Sequence, residues 1–381
     1  MRPGRSLADP TWYQTFTAVA ADRRSERLTT AQDTPARFVV SSGDWLCDCG
    51  SRVSLLAGGE VKRTSATVEE TRYAVNGVAS GPFASGGTET TVAAFTHVRV
   101  PMARGTVLLG LRADHWRSTP TDPTLPTHES TFASPRASVS LALTSQASLH
   151  GSVYRSARTP SLNELHRGFR AGNVVTNPNP LLDPETLLGG EAGLLVWHGG
   201  VSARVTAFWN SLDHAVTNVT VASTPAQITR QRQNTDTVRA RGVEAELDVR
   251  PGHGWTLGAV AALTDSTFRK TPAQPALQGN RLPQVPRVQV GGSVTYASSR
   301  GFTGSAQARV SGAQFDDDLN QFVLGRYGVI DGTVSQSLGR LAHVYVSVEN
   351  LLDTEYDVGR TPIRTVGWPR TFRAGLRLFV P

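Results

Sequence analysis

The stretch GWTLGAVAALTDS, residues 254–266, decides the fold class because apolar and polar positions alternate along it. Its odd-numbered positions up to 263 are apolar, namely Trp255, Leu257, Ala259, Ala261 and Leu263. Its even-numbered positions are mostly small or polar, and Val260 is the exception. Successive side chains of a β-strand point to opposite faces, so this period of two predicts a strand with one apolar face and one polar face.

The same alternation recurs along the chain. In GVEAELDVR (242–250) and TFRAGLRLFV (371–380) the second face carries charged side chains, among them Glu244, Asp248, Arg373 and Arg377. We count about sixteen such segments of roughly ten residues, which is the length of a tilted strand that crosses a bilayer. Helix signals are confined to SLNELHRGF (161–169), where Ser161 and Glu164 form a potential capping box for about one helical turn. The sequence therefore predicts an all-β protein.

The connections between these segments alternate between short and long. Short ones, such as PMAR, HGG and SSR, are followed by long ones, which we place at 21–35, 64–89, 118–132, 158–185, 217–236, 268–285, 315–325 and 350–370. Every second connection of an antiparallel meander lies at the same end. This pattern predicts an antiparallel up-and-down transmembrane β-barrel with long outer loops and short periplasmic turns. Soluble β-proteins have shorter strands, and their loop lengths have no reason to alternate.

The chemistry of the two faces fixes their orientation. A charge on the lipid face costs about 2–4 kcal/mol at the membrane midplane, so the charged face is expected to point inward. The sequence contains no run of eighteen apolar residues, so no transmembrane helix is predicted. The net charge of +7 comes from scattered Arg residues rather than a basic cluster, which argues against a nucleic-acid partner.

Catalytic, cofactor and metal signatures are not found in the sequence. It contains no HExxH, GxSxG or Walker pattern, so we predict no enzyme, no cofactor and no catalytic residue. Cys47 and Cys49 are too few for a zinc site or a disulfide framework, and they are either free or joined by a strained bridge. The acidic run Asp316–Asp318 lies in a long loop, where we favour a solvated run over a Ca²⁺ site.

Four blocks in order resemble the pattern of TonB-dependent outer-membrane receptors. They are ARTPSLNEL with NPNPLLDPETLLGGEAGLL, NTDTVRARGVEAELDV, VSVENLLDTEYDVG and GWPRTFRAGLRLFV, and the match is good from Arg136 to Val380. The matching residues that we expect to act mainly as architecture are Arg158, Pro160, Glu164, Asn179, Pro180, Pro184, Glu185, Glu191, Gly242, Glu244, Asn350, Asp353, Tyr356, Pro369 and Arg370. The prolines end one strand and delay the next, because they donate no ladder hydrogen bond. Glu191 and Glu244 either form ion pairs inside the barrel or contact a ligand.

The resemblance implies a function and a set of partners. The family implies energy-coupled uptake of a scarce ligand, such as a siderophore, cobalamin or an oligosaccharide, by a barrel of about 22 strands that surrounds a plug. About sixteen strands are recognisable here, so we expect residues 1–381 to be a partial barrel domain without plug or signal peptide, from a truncated gene or a misassigned reading frame.

The expected location is the outer membrane of a Gram-negative-type cell. The partners would be outer-membrane lipid, the barrel-assembly machinery, an unknown small-molecule ligand and, only through the missing plug, the TonB complex. Two alternatives stay open. They are a passive porin-like channel and a soluble β-rich surface protein.

Overall fold

The computed structural model describes most of the chain. The described residues are 4–8, 11–18, 28–35, 37–48, 53–73, 79–171, 173–225, 227–272, 274–361 and 363–379; side chains are described at 53–68 and from 84 onward, except at 171 and 236. Cys49 and the side chain of Cys47 lie outside this description, and so does their predicted state.

Strands make up nearly all of the regular structure. They are β1 (Gly4–Ala8), β2 (Thr11–Ala18), β3 (Leu28–Pro35), β4 (Arg37–Asp48), β5 (Ser54–Tyr73), β6 (Ala79–Met102), β7 (Gly105–Pro120), β8 (His128–Thr144), β9 (Ala147–Arg158), β10 (Phe169–Ala171), β11 (Val174–Asn177), β12 (Glu185–His198), β13 (Val201–Ser223), β14 (Ile228–Gly252), β15 (Trp255–Lys270), β16 (Val288–Ala297), β17 (Phe302–Ser311), β18 (Gln314–Phe315), β19 (Val323–Leu324), β20 (Tyr327–Leu338), β21 (Ala342–Glu349), β22 (Asp357–Gly359), β23 (Thr365–Val366) and β24 (Thr371–Leu378). One α-helix, α1 (Leu162–His166), and one 3₁₀ turn, Pro275–Leu277, complete the described elements.

In the described part of the chain, one large sheet contains 20 strands, and their pairing is antiparallel except between β11 and β14. Among the described residues, sixteen strands form a single ladder in the order β1, β4 to β9, β12 to β17, β20, β21 and β24. The hairpins β2–β3 and β10–β11 join the sheet at β5 and β14. The predicted all-β, antiparallel up-and-down sheet is confirmed.

The strand register separates the two faces along the whole ladder. One row of paired residues runs through Leu194, Val205, Ala245, Ala261, Val290 and Val310. The neighbouring row runs through Thr206, Glu244, Ala262, Gln289 and Ser311 on the opposite face. Large apolar side chains on the first face stay exposed, for example Leu194 at 42%, Val205 at 49% and Phe372 at 68%. We call the two sides the apolar face and the polar face.

The turns and loops lie at opposite ends of the sheet, as predicted. Adjacent strands meet in tight turns such as Met102–Gly105 and His198–Val201, and the long connections lie at the other end, which we call the loop end. The predicted boundaries of several long loops are wrong, however. β3 occupies Leu28–Pro35 of the expected loop 21–35, and in the expected loop 118–132 β7 runs to Pro120 and β8 begins at His128. β5 and β6 pair through most of the expected loop 64–89, and β13 and β14 pair through most of 217–236. In these extensions the backbone ladder continues where apolar alternation has ceased, because pairing does not require an apolar face.

Two small apolar cores lie at the loop end. Trp116, Leu165 and Leu182 form the first, with Phe132 and Val216 packed against it. The second consists of Ala215, Val219, Val238, Phe268 and Leu277, with Leu212, Leu282 and Leu319 packed against it. Helix α1 contributes Leu165 to the first core, and its capping box at Ser161 and Glu164 is formed as predicted. Within the described residues no helix is long and apolar enough to span a membrane, and this result does not bear on strands.

Leu181 and Leu182 provide a matched test of the first core. Leu182 is fully buried, whereas its neighbour Leu181 is 65% exposed. We expect Leu182→Ala to lower the free energy of unfolding by about 2–5 kcal/mol, because it leaves a cavity beside Trp116. Leu181→Ala should change it by less than about 0.5 kcal/mol. Denaturant titrations of the protein in detergent micelles measure both values, and equal effects would contradict the assigned core.

Candidate functional site

The Arg158 cluster, formed by Arg158, Ser161, Glu164 and Glu185, organises the first large loop. Arg158 ends β9 and Glu185 begins β12, and the strand register places them side by side. The Arg158 guanidinium donates Nε–H to Glu185 and forks onto Glu164 through Nη1 at 2.9 Å and Nη2 at 3.1 Å. Glu185 is buried, and its other oxygen accepts the backbone N–H of Val216. The cluster therefore ties the loop to β13.

Glu164 links the guanidinium to the start of helix α1. Its carboxylate accepts the backbone N–H and the hydroxyl of Ser161, both at 2.8 Å. Burial by itself raises the pKa of the Glu164 carboxyl, but hydrogen bonds from Arg158 and Ser161 outweigh burial and hold the pKa below its usual value. The carboxylate form is thus the one that the cluster stabilises.

Asn179 and Arg232 fasten the same loop to β14. Asn179 donates its side-chain amide to the carbonyl of Arg232 at 3.1 Å and accepts the N–H of Leu181 at 3.0 Å. The buried Arg232 guanidinium donates to the carbonyls of Asn163 and Arg167 beneath α1. The prolines of the motif fit this frame, since Pro160 and Pro184 are both buried.

The second group of motif residues forms a compact turn after β21, the Asn350 turn. Asn350 and Asp353 adopt φ angles of 50° and 53°, a left-handed conformation in which Asn and Asp are enriched. The Asn350 side chain donates to the carbonyls of Thr354 at 2.9 Å and Trp368 at 3.0 Å. Its own backbone N–H is bound by Asp331. One asparagine therefore joins both ends of the long connection from β21 to β24.

Tyr356, Arg370 and their neighbours complete this turn. Tyr356 stacks on Tyr327 with ring centroids 4.1 Å apart. A Cβ at position 367 would lie 2.0 Å from the Tyr356 ring, so Gly367 is required for the close approach. Asp353 accepts the backbone N–H of Arg370 at 2.9 Å, directly after Pro369. The structure thus brings together the motif residues of the last two sequence blocks, which are Asn350, Asp353, Tyr356, Pro369 and Arg370.

The remaining motif residues lie separately on the polar face of the wall. Glu191 accepts a hydrogen bond from Ser152 at 2.8 Å, and the Phe208 ring covers Gly242. Within the described part of the chain neither Glu191 nor Glu244 forms an ion pair. The interior pairing proposed for them from the sequence is therefore not formed among these residues. Cross-strand pairs on this face join other residues instead, including Arg309 with Asp331 and Arg373 with Glu349.

The interpretation of the acidic run as a solvated loop is wrong. Asp316, Asp317 and Asp318 are all buried, and each accepts hydrogen bonds from protein donors. The burial of the three aspartates could not be predicted from composition, because three charged residues in a long loop are usually solvated. Among the described residues, no group of three or more His, Cys, Asp or Glu side chains is arranged to hold a metal ion.

Among the described residues, two of the cavities on the polar face have both charged and aromatic borders. One, of about 610 Å³, is bordered by Arg309, Asp331, Glu349, Tyr356 and Trp368. The other, of similar volume, is bordered by Glu60, Phe95, Arg112, Tyr154 and Glu191. Arg112 is fixed there by a fork onto Asp114 and Glu60. Volumes of about 300–1,000 Å³ with convergent polar and aromatic groups suit small-molecule binding.

Sequence reasoning missed several residues that organise the loop end. Arg232, Thr220 and Asn320 bind neighbouring loops but belong to no alternating segment or recognised block. Asn320 adopts a φ of 59°, a left-handed conformation in which Asn is enriched, but the residue type alone does not mark this position in the sequence. Contacts between loops that are far apart in sequence leave no periodic trace, so the three could be found only in three dimensions.

Several solved structures share this fold at low sequence identity. The chain is 16% identical to the copper transporter OprC, with a TM-score of 0.75 over 92% of this chain and 57% of that chain. It is 18% identical to the ferric yersiniabactin uptake receptor FyuA from Yersinia pestis, with a TM-score of 0.73 over 96% and 56%. It is 16% identical to the siderophore receptor PiuA from Acinetobacter baumannii, with a TM-score of 0.72 over 98% of this chain and 60% of that chain.

These likenesses establish the fold, and the chain spans a little over half of the length of each of these structures. A comparison with curated protein sequences gives no match. The family model described as TonB dependent receptor-like, beta-barrel matches residues 3–351, which is most of the chain. The chain therefore belongs to the TonB-dependent receptor family, as part of its β-barrel.

Proposed function

We propose that this chain forms wall and outer loops of an outer-membrane receptor that takes up a scarce ligand by TonB-dependent energy coupling. The observation that carries the proposal is the division of the sheet. An exposed apolar face suits contact with lipid, while the polar face and the loop end carry cavities with charged and aromatic borders. The ligand classes that fit are a siderophore, a metal complex, cobalamin or an oligosaccharide.

Proteins of the same fold support this choice of ligand class, since OprC is a copper transporter, FyuA is a ferric yersiniabactin uptake receptor and PiuA is a siderophore receptor. Lipid, the barrel-assembly machinery and the TonB complex are the partners that this proposal requires. Residues 1–381 act in it as one partial β-barrel domain. A soluble surface protein fits less well, because side chains such as Phe372 and Leu263 would leave an extended apolar face in water.

Dependence on the proton-motive force tests energy-coupled uptake. We expect Gram-negative cells whose outer membrane contains the receptor formed with this chain to take up one ligand from a test panel in a saturable way. The panel consists of ferric siderophores, copper, cyanocobalamin and maltooligosaccharides. A protonophore should abolish that accumulation, because TonB-dependent transport consumes the force across the inner membrane. Uptake that is linear in concentration and unaffected by the protonophore would favour the passive porin-like channel. Liposome swelling with small sugars provides the direct assay of such a channel.

The assignment of the apolar face to lipid is tested at two adjacent positions. Val205 lies in the middle row of the apolar face, and Thr206 points to the polar face. We expect Val205→Arg to lower the stability of the membrane-inserted protein by about 2–4 kcal/mol, because the charge faces hydrocarbon. Thr206→Arg places the same group beside Glu244 and should be tolerated. Unfolding from phospholipid vesicles measures both, and a reversed order would reject the orientation.

We further propose that the motif residues act as architecture rather than as ligand contacts. Arg158→Ala leaves the buried Glu185 carboxylate without its cation, so we expect a loss of about 1–3 kcal/mol in unfolding free energy. Arg158→Lys should not restore it, because an ammonium cannot reproduce the fork onto Glu164. Arg155→Ala is the control, since Arg155 makes one exposed bond to the carbonyl of Ala133. Unchanged stability in Arg158→Ala would count against this role.

A further inference from the structure

The run Asp316–Asp318 lies between β18 and β19, and each of its carboxylates holds a different part of the loop end. Asp316 binds the long connection between β21 and β24, Asp317 binds its own loop, and Asp318 binds β13. All three side chains are buried. Burying carboxylates is costly unless hydrogen bonds replace water, and these bonds provide that replacement.

Asp316 makes the densest set of contacts. Its Oδ2 accepts the backbone N–H groups of Arg360 at 2.8 Å and Thr361 at 2.7 Å, together with the Thr361 hydroxyl at 2.8 Å. Its Oδ1 accepts the side-chain amide of Gln284 at 3.0 Å. Burial raises the pKa of the Asp316 carboxyl, but the bonds from Gln284, Arg360 and Thr361 outweigh it and lower the pKa. We call Asp316, Gln284, Arg360 and Thr361 the Asp316 latch.

The latch acts on the small hairpin β22–β23. Arg360 and Thr361 lie in the connection between these two strands, which pair at Asp357–Val366 and Gly359–Thr365. A two-stranded hairpin of this size is marginal by itself. Both backbone amides and the Thr361 hydroxyl therefore fix the hairpin to Asp316. The Arg360 guanidinium adds one bond to the carbonyl of Val323 in β19 at 3.2 Å.

Of the two neighbouring aspartates, Asp317 closes that loop and Asp318 connects it to β13. Asp317 accepts the N–H groups of Gln321 at 3.1 Å and Phe322 at 2.8 Å, which closes its own loop. Asp318 accepts the N–H and hydroxyl of Thr220, both at 3.1 Å. Thr220 flanks the register shift in the β13–β14 pairing, where a bulge redirects the backbone.

Asn320 adds a further connection to the loop between β15 and β16. Its side-chain oxygen accepts the N–H of Arg281 at 2.8 Å, and its amide donates to the Arg281 carbonyl at 2.9 Å. Leu319 packs against the second apolar core. Polar and apolar contacts thus join segments from β13 to β24 into one body.

We propose that Asp316 is a positioning residue that fixes the β22–β23 hairpin before any ligand binds, so that this side of the loop end is a preorganised surface. The hairpin leads to Tyr356 and Trp368 at the border of the neighbouring cavity. A fixed hairpin keeps that border in place and removes the ordering cost from ligand binding. What the surface recognises rests on the proposed function, whereas the latch itself does not.

Amide hydrogen exchange of the chain in detergent micelles tests the latch without a ligand. Three single variants, Asp316→Ala, Asp317→Ala and Asp318→Ala, remove the same group at adjacent positions. We expect Asp316→Ala to speed exchange at Arg360 and Thr361 by roughly tenfold or more, the effect of losing a hydrogen bond to a charged group. Asp317→Ala should act at Gln321 and Phe322, and Asp318→Ala at Thr220.

The pattern across the variants decides the outcome. Asp316→Asn keeps one acceptor oxygen and the shape of the side chain, so it should give intermediate exchange at Arg360 and Thr361 with Gln321 and Phe322 unchanged. This variant also provides the test if Asp316→Ala does not fold. The proposal is overturned if Asp316→Asn and Asp316→Ala leave both amides protected, or if all the variants lose protection uniformly. If the exchange pattern is as expected but the unchanged protein supports no energy-coupled uptake, the proposed function is rejected and the latch is retained.

Discussion

The register of the antiparallel ladder is the constraint on which the rest of the structure depends. A shift of one residue between any two strands would move every side chain of one strand to the opposite face. The register shifts of the ladder, such as the one between Thr220 and Ala222, lie toward the ends of the paired stretches. Between them the register is kept, so that Val205 and Ala245 lie on the apolar face while Thr206 and Glu244 lie on the polar face. Charged pairs such as Arg309 with Asp331 can then form on the polar side, away from the apolar surface.

At the loop end the polar face is covered by loops, and apolar residues on it are buried. Strands continue beyond the alternating region, and the polar face there carries apolar residues such as Trp116 and Phe268, which are fully buried. Loops cover these residues and make small cores of the kind found in soluble proteins. Their backbone groups are bound by buried carboxylates, including Glu185 and Asp316, because a folded loop must replace the water it loses. The β13–β14 hairpin contacts both the Arg158 cluster and the Asp318 segment, so it is the shared support of the loop end.

The sequence predicts the sheet well and the loop end only in part. Alternation gives the faces correctly, since the apolar set of β15 from Trp255 to Leu263 lies where the period of two puts it. The capping box of Ser161 and Glu164 is local, and it too was predictable. The extended pairing of β5 with β6 was not predictable, because strands can pair where apolar and polar residues do not alternate. The burial of Asp316 depends on Arg360 and Thr361, which lie far along the chain and give no local signal.

We therefore expect the residues that mark the family and the residues that select a ligand to be different in this fold. Arg158, Asn350 and Asp353 are occupied by bonds to carboxylates or backbone groups of their own loops. A side chain whose donors are already bound has little capacity for a ligand, since taking it away would leave a buried partner unsatisfied. The side chain of Trp368 is 71% exposed at a cavity border, so it is accessible to a ligand. Variation at positions of this second kind can change the ligand while the motif residues keep the loops in place, so one barrel frame can serve receptors of different specificity.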